Sequence, residues 1–389
     1  MPKVLIVHNS YQQAGGEDAV VDAETALLRD NGHSVIEYRR SNHELTGMNR
    51  AEAAASTLWA QRSAAELGAL IAQERPDVMH VHNTFPLISP AAYWTAHRFG
   101  VAVVQTVHNY RLICPQGMLL RDGRICEDCV GKLPWRGAWR GCYRDSRLQS
   151  SVLAAMLTLH RSLGTYRRRV DRYIALTEFG RDKLVAGGLP ADRIRVKPNF
   201  VAAPAASLAS RHQKHFLFVG RLSPEKGITT LRDALGIHPD IDVRIAGDGP
   251  EAAELSALPN AIQLGWLNGS AVDRQMQEAF ALLMPSICLE TFGLVAIEAY
   301  AHGLPVIGSR LGALATIIED NNTGLLFDPG NPDDLAKKLR WAVDHPEAMA
   351  TMGRNARAAY ETHYSPEANY RKLVDIYDEA ILARQGGNA

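Results

Sequence analysis

The stretch Pro285-Ser-Ile-Cys-Leu-Glu-Thr-Phe-Gly-Leu-Val-Ala-Ile-Glu-Ala-Tyr-Ala-His-Gly-Leu-Pro305 predicts a turn from a buried strand into a packed helix. Apolar residues precede the first proline, and residues 293–301 have the composition of a helix packed against a sheet. The amides of Phe292, Gly293 and Leu294 then lie at the helix amino end, where aligned peptide dipoles favour an anion such as a diphosphate. The stretch therefore predicts a ligand-binding corner.

Two glutamates stand in this stretch. Glu290 falls in the predicted loop, whereas Glu298 falls in the second helical turn among apolar residues, where an unpartnered carboxylate is costly. Each carboxylate can accept two hydroxyl hydrogen bonds, which suits the vicinal diols of a ribose and a hexose. The alternative interpretation is structural, with Glu290 stabilising the helix end and Glu298 paired with an arginine.

The length and pattern of the chain predict two domains of α/β class. The 389 residues exceed one ordinary core. Short Val/Ile-rich runs alternate with helical stretches, one of them residues 52–74, and the alternation restarts near residue 215, which predicts two doubly wound, Rossmann-like parallel sheets. The 42 basic and 42 acidic residues cancel, so no overall field favours nucleic acid, although a local basic patch stays open.

The predicted boundaries follow from these runs. We expect an acceptor-side domain at 1–200 with a cysteine-rich insertion at 110–147, a linker at 201–213, a nucleotide-binding domain at 214–364, and a terminal helix at 365–389.

Two further loops carry candidate ligand-binding groups. In Gly220-Arg-Leu-Ser-Pro-Glu-Lys-Gly227, the cations Arg221 and Lys226 can both turn toward the helix end predicted for the diphosphate; the alternative is two solvated surface charges. After the first strand, Gly15-Gly16 lets backbone amides approach a phosphate or an acceptor, but a paired glycine is also a common turn.

Histidines and aspartates suggest metal sites that the pattern does not favour. His80 and His82 alternate on one predicted strand and lack a third zinc ligand, so a core or hydrogen-bonding role is expected for His80. Asp240-Ile-Asp242 has a pattern that can hold manganese, but it precedes a strand and is interpreted as a turn.

The insertion holds four cysteines, which can form a closed structural zinc site: Cys114, Cys126, Cys129 and Cys142. Free thiols are the alternative, and a redox role lacks the usual strand-to-helix context. The arginines and tryptophans around them, Arg136 and Trp139 among them, fit anionic lipid headgroups or a pyrophosphate-linked acceptor as well as a solvated basic face.

Several of these motifs together resemble the signatures of the retaining GT-B glycosyltransferases of family 4, which use nucleotide sugars. The resemblance implies that Glu298 holds the nucleotide ribose, that Glu290 contacts the donor sugar, and that Arg221 and Lys226 neutralise the leaving diphosphate. It is closest over residues 196–324.

The resemblance also covers the first half of the chain. The segment Thr106-Val-His-Asn-Tyr110 is similar to the family's Thr-His-Asp strand end, which implies that His108 hydrogen-bonds the donor sugar or orients the reacting centre. Asn109 stands where aspartate is common, and the family carries a Gly-Gly loop at the place of Gly16. The implied fold is GT-B, with two Rossmann-like domains facing a cleft and a terminal helix that crosses back to the first domain.

We therefore expect a retaining, metal-independent, hexosyltransferase-like enzyme that moves a sugar from a nucleotide-sugar donor to a hydroxyl of a glycan or lipid-linked acceptor, in bacterial surface polysaccharide synthesis. No cofactor is expected for catalysis. No stretch approaches the roughly 20 apolar residues that cross a bilayer, so a cytoplasmic location with peripheral membrane contact is expected. The alternatives are a nucleotide-sugar epimerase of the same fold and a non-catalytic sugar-nucleotide-binding protein.

Overall fold

The computed structural model describes residues 1–12, 15–204 and 215–386. They form two compact units. The first unit contains residues 1–119, 127–199 and the described residues from Asn369 onward, and the second contains residues 120–126 and 200–368. Most of the predicted linker, residues 205–213, lies outside the described residues.

The first unit is built on a parallel sheet. The strands before residue 200 are β1 (Val4–Ser10), β2 (Val35–Ser41), β3 (Val78–Asn83), β4 (Ala102–Thr106), β5 (Leu120–Arg121), β6 (Arg124–Ile125), β7 (Arg172–Ala175) and β8 (Ile194–Val196). Six of them form one sheet in the order β2-β1-β3-β4-β7-β8, and each pairing in it is parallel. The apolar residues 4–7 are fully buried, because a central parallel strand is covered on both faces.

Crossover helices cover this sheet, as a parallel topology requires. They are α1 (Gly16–Asp30), α2 (Arg50–Leu58), α3 (Gln61–Glu74), α4 (Ala91–Arg98), α5 (Trp135–Arg140), α6 (Arg147–Ser162), α7 (Thr165–Arg168) and α8 (Glu178–Ala186).

The single helix predicted over residues 52–74 is wrong, because the chain breaks it between α2 and α3. Trp59 is extended, at φ −157° and ψ 96°. The Ala60 amide makes no helical hydrogen bond and instead donates to the Ser89 hydroxyl at 2.9 Å. The Trp59 ring stacks on His160 at 5.6 Å between centroids, which holds the break in place. Neither partner is near in sequence, so local helix propensity could not reveal the break.

The second unit repeats the doubly wound pattern. Its main strands are β9 (Phe216–Val219), β10 (Val243–Ala246), β11 (Ala261–Gly265), β12 (Ala281–Met284), β13 (Val306–Ser309) and β14 (Gly324–Phe327). They pair in parallel in the order β11-β10-β9-β12-β13-β14. The remaining helices are α9 (Ile228–Ile237), α10 (Ala252–Leu255), α11 (Gly269–Glu278), α12 (Leu294–Ala301), α13 (Leu314–Ile317), α14 (Pro332–Asp344), α15 (Pro346–Ala359) and α16 (Pro366–Gly386).

The terminal helix α16 contributes to the core of the first unit. Leu373, Ile376 and Tyr377 are buried there together with Val4 and Val104 of the sheet. Burial of such side chains stabilises by about 1.5–3 kcal/mol each. Among the described helices, none combines the length and the apolar content that crossing a bilayer requires.

Candidate functional site

The loop between β12 and α12 takes its shape from Gly293. This residue caps the helix at φ 88°, a left-handed conformation that glycine adopts without strain. A Cβ there would lie 2.9 Å from Cδ2 of Leu314, so a larger residue is also disfavoured by contact. Among the described residues, nothing accepts a hydrogen bond from the amides of Gly293, Leu294 or Val295. The amides at the helix amino end are therefore available to a ligand, and the predicted anion site stays a prediction.

Phe292 serves this corner only through its backbone. Its side chain is 3 % exposed and packs edge-on against the ring of Tyr364, 6.1 Å between centroids. The ring is thus part of the core.

Gly227 brings the second predicted loop against the first. It has φ 73°, and a Cβ on it would lie 1.9 Å from the carbonyl oxygen of Pro285. The Ile287 amide donates to the Glu225 carbonyl at 2.9 Å, which joins the two loops further. This close approach places Lys226 next to Glu290, with Nζ and Oε1 2.6 Å apart.

Glu290 is held as a charged acceptor. Besides Lys226, the Ser286 hydroxyl donates to Oε1 at 2.8 Å. Burial alone would raise the pKa of Glu290, but the Lys226 charge and these hydrogen bonds outweigh it and hold the pKa below its usual range. Burial likewise opposes the charge on Lys226, yet Glu290 raises the pKa of the lysine. The pair is therefore ionised at neutral pH, a pairing that the sequence did not predict.

Glu298 lies on α12 without a partner. Among the described residues, no donor hydrogen-bonds its carboxylate, so the arginine pairing considered as an alternative is absent from this part of the chain. Burial, with repulsion from Asp273 as the second cause, raises the pKa of Glu298 to about 7. A half-buried carboxyl in this state is destabilised until hydroxyl groups or another donor bind it.

Two other predicted polar residues lie on the surface of the second unit. Arg221 is exposed, follows β9, and makes no ion pair with any described residue. Asp240 accepts from Arg340 at both carboxylate oxygens, 2.7 Å each. An arginine bound in this way competes with any metal, which agrees with the interpretation of Asp240-Ile-Asp242 as a turn.

In the first unit, His108 follows β4 and lies half-buried against His82. The His108 Nε2 and His82 Nδ1 atoms are 2.9 Å apart, and the rings stack at 5.2 Å between centroids. Burial lowers the pKa of both imidazoles. The second cause is His82 for His108 and His80 for His82, and the pKa of His82 falls to about 3. Both are neutral at pH 7, so His108 can orient a hydroxyl without carrying charge.

A buried glutamate, which the sequence did not indicate, organises these histidines. Glu24 of α1 lies 3.0 Å from His80 Nδ1 and 3.4 Å from His82 Nε2, and Lys197 Nζ lies 2.9 Å from its other oxygen. Burial opposes the charge on Glu24, but Lys197 and His80 hold its pKa well below the usual range. Glu24 is the third ligand that the histidine pair seemed to lack, yet the bound ammonium already supplies the cation.

The Gly15-Gly16 turn begins α1 directly. Asp18 accepts from the Gly15 amide at 2.9 Å and pairs with Nε2 of the buried His8 at 2.8 Å. Gly16 is exposed as the first residue of the helix, in a position where its amide can meet a ligand.

None of the five cysteines, all of which lie among the described residues, forms a disulfide. The sulfurs of the three predicted zinc ligands in the first unit, Cys114, Cys129 and Cys142, are not all within 4.8 Å of one another. Cys126 belongs to the short segment grouped with the second unit. A zinc site on these four residues therefore stays a prediction.

Comparison with known proteins agrees with the two-part organisation. The family model "Glycosyl transferase 4-like domain" matches residues 15–199, and "Glycosyl transferases group 1" matches residues 202–359. The solved structure of Anabaena HepE in complex with UDP-glucose has a TM-score of 0.68 and 16 % identity, covering 96 % of this chain and 99 % of that one. Both models are of glycosyltransferases and together they cover most of the chain, which has the GT-B fold.

Characterised relatives of this GT-B protein differ in what they act on. The D-inositol 3-phosphate glycosyltransferase of Rhodococcus jostii is 29 % identical over 78 % of this chain and 66 % of its own length. The sulfoquinovosyl transferase SQD2 of Arabidopsis thaliana is 29 % identical over 52 % of this chain and 43 % of its own length. The chain therefore aligns with less than two thirds of either relative.

Proposed function

We propose that this protein is a retaining, metal-independent glycosyltransferase of family 4 that moves a sugar from a nucleotide-sugar donor to a hydroxyl of a glycan or lipid-linked acceptor. The observation that carries the proposal is the Lys226–Glu290 pair. Its glutamate lies four residues before Leu294, where α12 begins with open amides. An ammonium and unpaired amides at one helix end match a sugar diphosphate in charge and hydrogen bonding. The UDP-glucose in the HepE structure supports a nucleotide-sugar donor.

Each residue then has a role in holding the donor. Arg221, Lys226 and the α12 amides bind the diphosphate. Glu290 accepts from a sugar hydroxyl while Lys226 keeps it ionised. Glu298 accepts from the ribose diol, which supplies the donors that its carboxylate lacks.

The chemistry follows from this arrangement. The bond from the anomeric carbon to the diphosphate oxygen breaks, and the charge that builds on the diphosphate is stabilised by Lys226 and the α12 dipole. Because Glu290 is engaged by Lys226 and Ser286, it acts as an acceptor and not as a covalent nucleophile. The acceptor oxygen bonds to the anomeric carbon from the face that the diphosphate leaves, and a phosphate oxygen takes its proton, so configuration is retained.

His108 and Gly16 complete the proposal from the first unit. His108, neutral and hydrogen-bonded to His82, orients the donor sugar, and the Gly16 amide at the start of α1 meets donor or acceptor oxygens. We further propose that the enzyme acts in surface polysaccharide synthesis in the cytoplasm, in contact with the membrane surface. Trp139, 72 % exposed on a short arginine-bearing helix, supports that contact.

The test is a panel of nucleotide sugars incubated with and without a glycan acceptor, followed by chromatography. Release of nucleoside diphosphate together with a glycosylated product supports the transferase. An isomerised sugar with no acceptor use indicates an epimerase, and an unchanged donor that nevertheless binds indicates a non-catalytic protein.

A further inference from the structure

A groove of about 540 Å³ lies in the first unit between α2, α6 and the loop that follows β3. Most of its wall is apolar: Leu45, Met48, Ala54, Phe85, Val152 and Leu153. This volume and lining are typical of sites that take the apolar part of a small molecule.

The charge around the groove has one sign. No described lining residue is acidic, and two arginines, Arg50 and Arg144, stand in the wall. Both are exposed, and neither makes an ion pair with any described carboxylate. An apolar groove with unpaired cations complements an anionic amphiphile.

A third arginine, Arg111, packs against two aromatic rings of the groove wall. The guanidinium carbon of Arg111 is 4.6 Å from the Phe85 centroid and 5.3 Å from that of Tyr143, and both rings line the groove. Its Nε and Nη1 atoms are buried and have no acceptor among the described residues. Buried donors on a charged group are costly to leave unpaired, which points to a ligand anion.

Two residues near Arg111, Glu17 and His108, also favour an anion at this arginine. Burial, with repulsion from Asp18 as the second cause, raises the pKa of Glu17 to about 8, so this carboxyl does not neutralise Arg111 at pH 7. Arg111 and Phe85 also line a small pocket together with His108, so an anion at Arg111 lies near the proposed reacting centre.

We propose that this groove binds the hydrocarbon chain of a phosphate-bearing lipid whose phosphate pairs with Arg111, and that this lipid is the acceptor substrate. The role of this lipid as acceptor rests on the proposed transferase function, whereas its binding in the groove does not.

Decyl phosphate is the probe, and binding is measured by calorimetry beside two partial ligands, decanol and inorganic phosphate. Two variants weaken the site at different points: Val152→Asp places a negative charge in the apolar wall, and Arg111→Gln removes the phosphate partner. Leu159→Asp on the same helix and Arg147→Gln, both exposed outside the groove, are the matched controls.

We expect decyl phosphate to bind the wild type more tightly than either partial ligand. Arg111→Gln removes a hydrogen bond to a charged group, and Val152→Asp places a charge against the hydrocarbon chain, so each should weaken binding by about tenfold or more, while both controls bind as the wild type. Equal binding by Val152→Asp and the wild type, or no gain over inorganic phosphate, overturns the groove as a lipid site.

A second measurement decides the acceptor role. Decyl phosphate should inhibit sugar transfer competitively with the acceptor and leave nucleoside diphosphate binding unchanged. Binding without inhibition overturns the acceptor role and assigns the groove to membrane attachment. Absence of transfer with every nucleotide sugar, while decyl phosphate still binds in the groove, instead refutes the proposed transferase function.

Discussion

One lysine–glutamate pair stands at the candidate site of the second unit and another among the buried histidines of the first, and these two pairs differ in access to solvent. In the second unit, Lys226 and Glu290 are 2.6 Å apart with side chains 31 % and 14 % exposed. In the first, Lys197 and Glu24 are 2.9 Å apart and each is 1 % exposed. Lys197 also donates to Asn369 at 2.9 Å, so its surroundings are closed by polar partners of its own unit.

This difference in exposure indicates a different role for each lysine–glutamate pair. An accessible pair can exchange a partner for a ligand at small cost, because solvent screens its charges. A sealed pair cannot, because each charge depends on the other for its stability in a medium of low polarity. We therefore assign Lys226–Glu290 to the reaction and Lys197–Glu24 to the fold, and the predictions below test that division.

The largest expected effect is on stability, in Lys197→Met. The methionine keeps most of the side-chain volume but leaves Glu24 buried and unpaired, which should lower the free energy of unfolding by about 3–5 kcal/mol. Urea denaturation at pH 7 measures it. The loss should shrink as the pH falls, because Glu24 then takes up a proton.

In the wild type, the stability that Glu24 contributes decreases as the pH falls. The folded pKa of Glu24 is depressed, so its contribution to stability is complete above the unfolded value of about 4.5 and is lost only as the pH falls through the folded value. Lys337→Met is the control, since this exposed lysine of α14 makes no ion pair with any described residue. A Lys197→Met protein as stable as this control would contradict the division.

The next effect is on catalysis, in Lys226→Ala. Removing one preorganised cation from the diphosphate should lower turnover by about 10²–10³-fold. The free energy of unfolding should fall by less than in Lys197→Met, because Lys226 is partly exposed. Product formation is compared with that of Lys337→Ala, and wild-type turnover in folded Lys226→Ala protein would remove this residue from the site.

A smaller, pH-dependent effect is expected at Glu298. Its pKa of about 7 means that the free protein loses the bound proton as the pH rises from 6 to 8. Nucleoside diphosphate binding should tighten roughly tenfold per pH unit below the pKa and level off above it. Calorimetry across that range measures this. In Glu298→Ala binding should be weak and lack this dependence; an unchanged pH profile would argue against contact with the ribose.

Removal of zinc from the four-cysteine site is expected to have the smallest effect on the donor site. Elemental analysis of protein purified without chelator should give about one zinc per chain if the four thiols bind it. Removal of the zinc should weaken acceptor use and leave nucleotide binding unchanged, because three of the four cysteines belong to the first unit and the Lys226–Glu290 pair to the second. Metal-free protein with four titrating thiols would reject the site.

The sequence indicated the donor corner because its parts are contiguous. Helix α12 begins at Leu294, within one residue of the prediction, and the 220–227 loop lies where strand and helix signals placed it. What joins them is the approach of Gly227 to Pro285, a tertiary contact that spacing alone does not contain. The pairing of Lys226 with Glu290 was missed for that reason.

The buried cluster of the first unit was out of reach for sequence reasoning. No local pattern marks Glu24, a charge on an amphipathic helix, or Lys197, a basic residue 173 residues later. Only the tertiary fold brings together α1, the residue after β8 and the strand that carries His80. Motifs that are local in sequence are therefore predictable here, whereas networks closed by several elements are not.

The raised pKa of Glu298 also has a calorimetric consequence. A carboxyl that is about half protonated near pH 7 must release that fraction of a proton when a diol binds its charged form. The proton passes to the buffer, so the observed heat of nucleotide binding should differ between buffers of different ionisation enthalpy. The slope of that dependence counts the protons released by this one side chain, without any substitution in the protein.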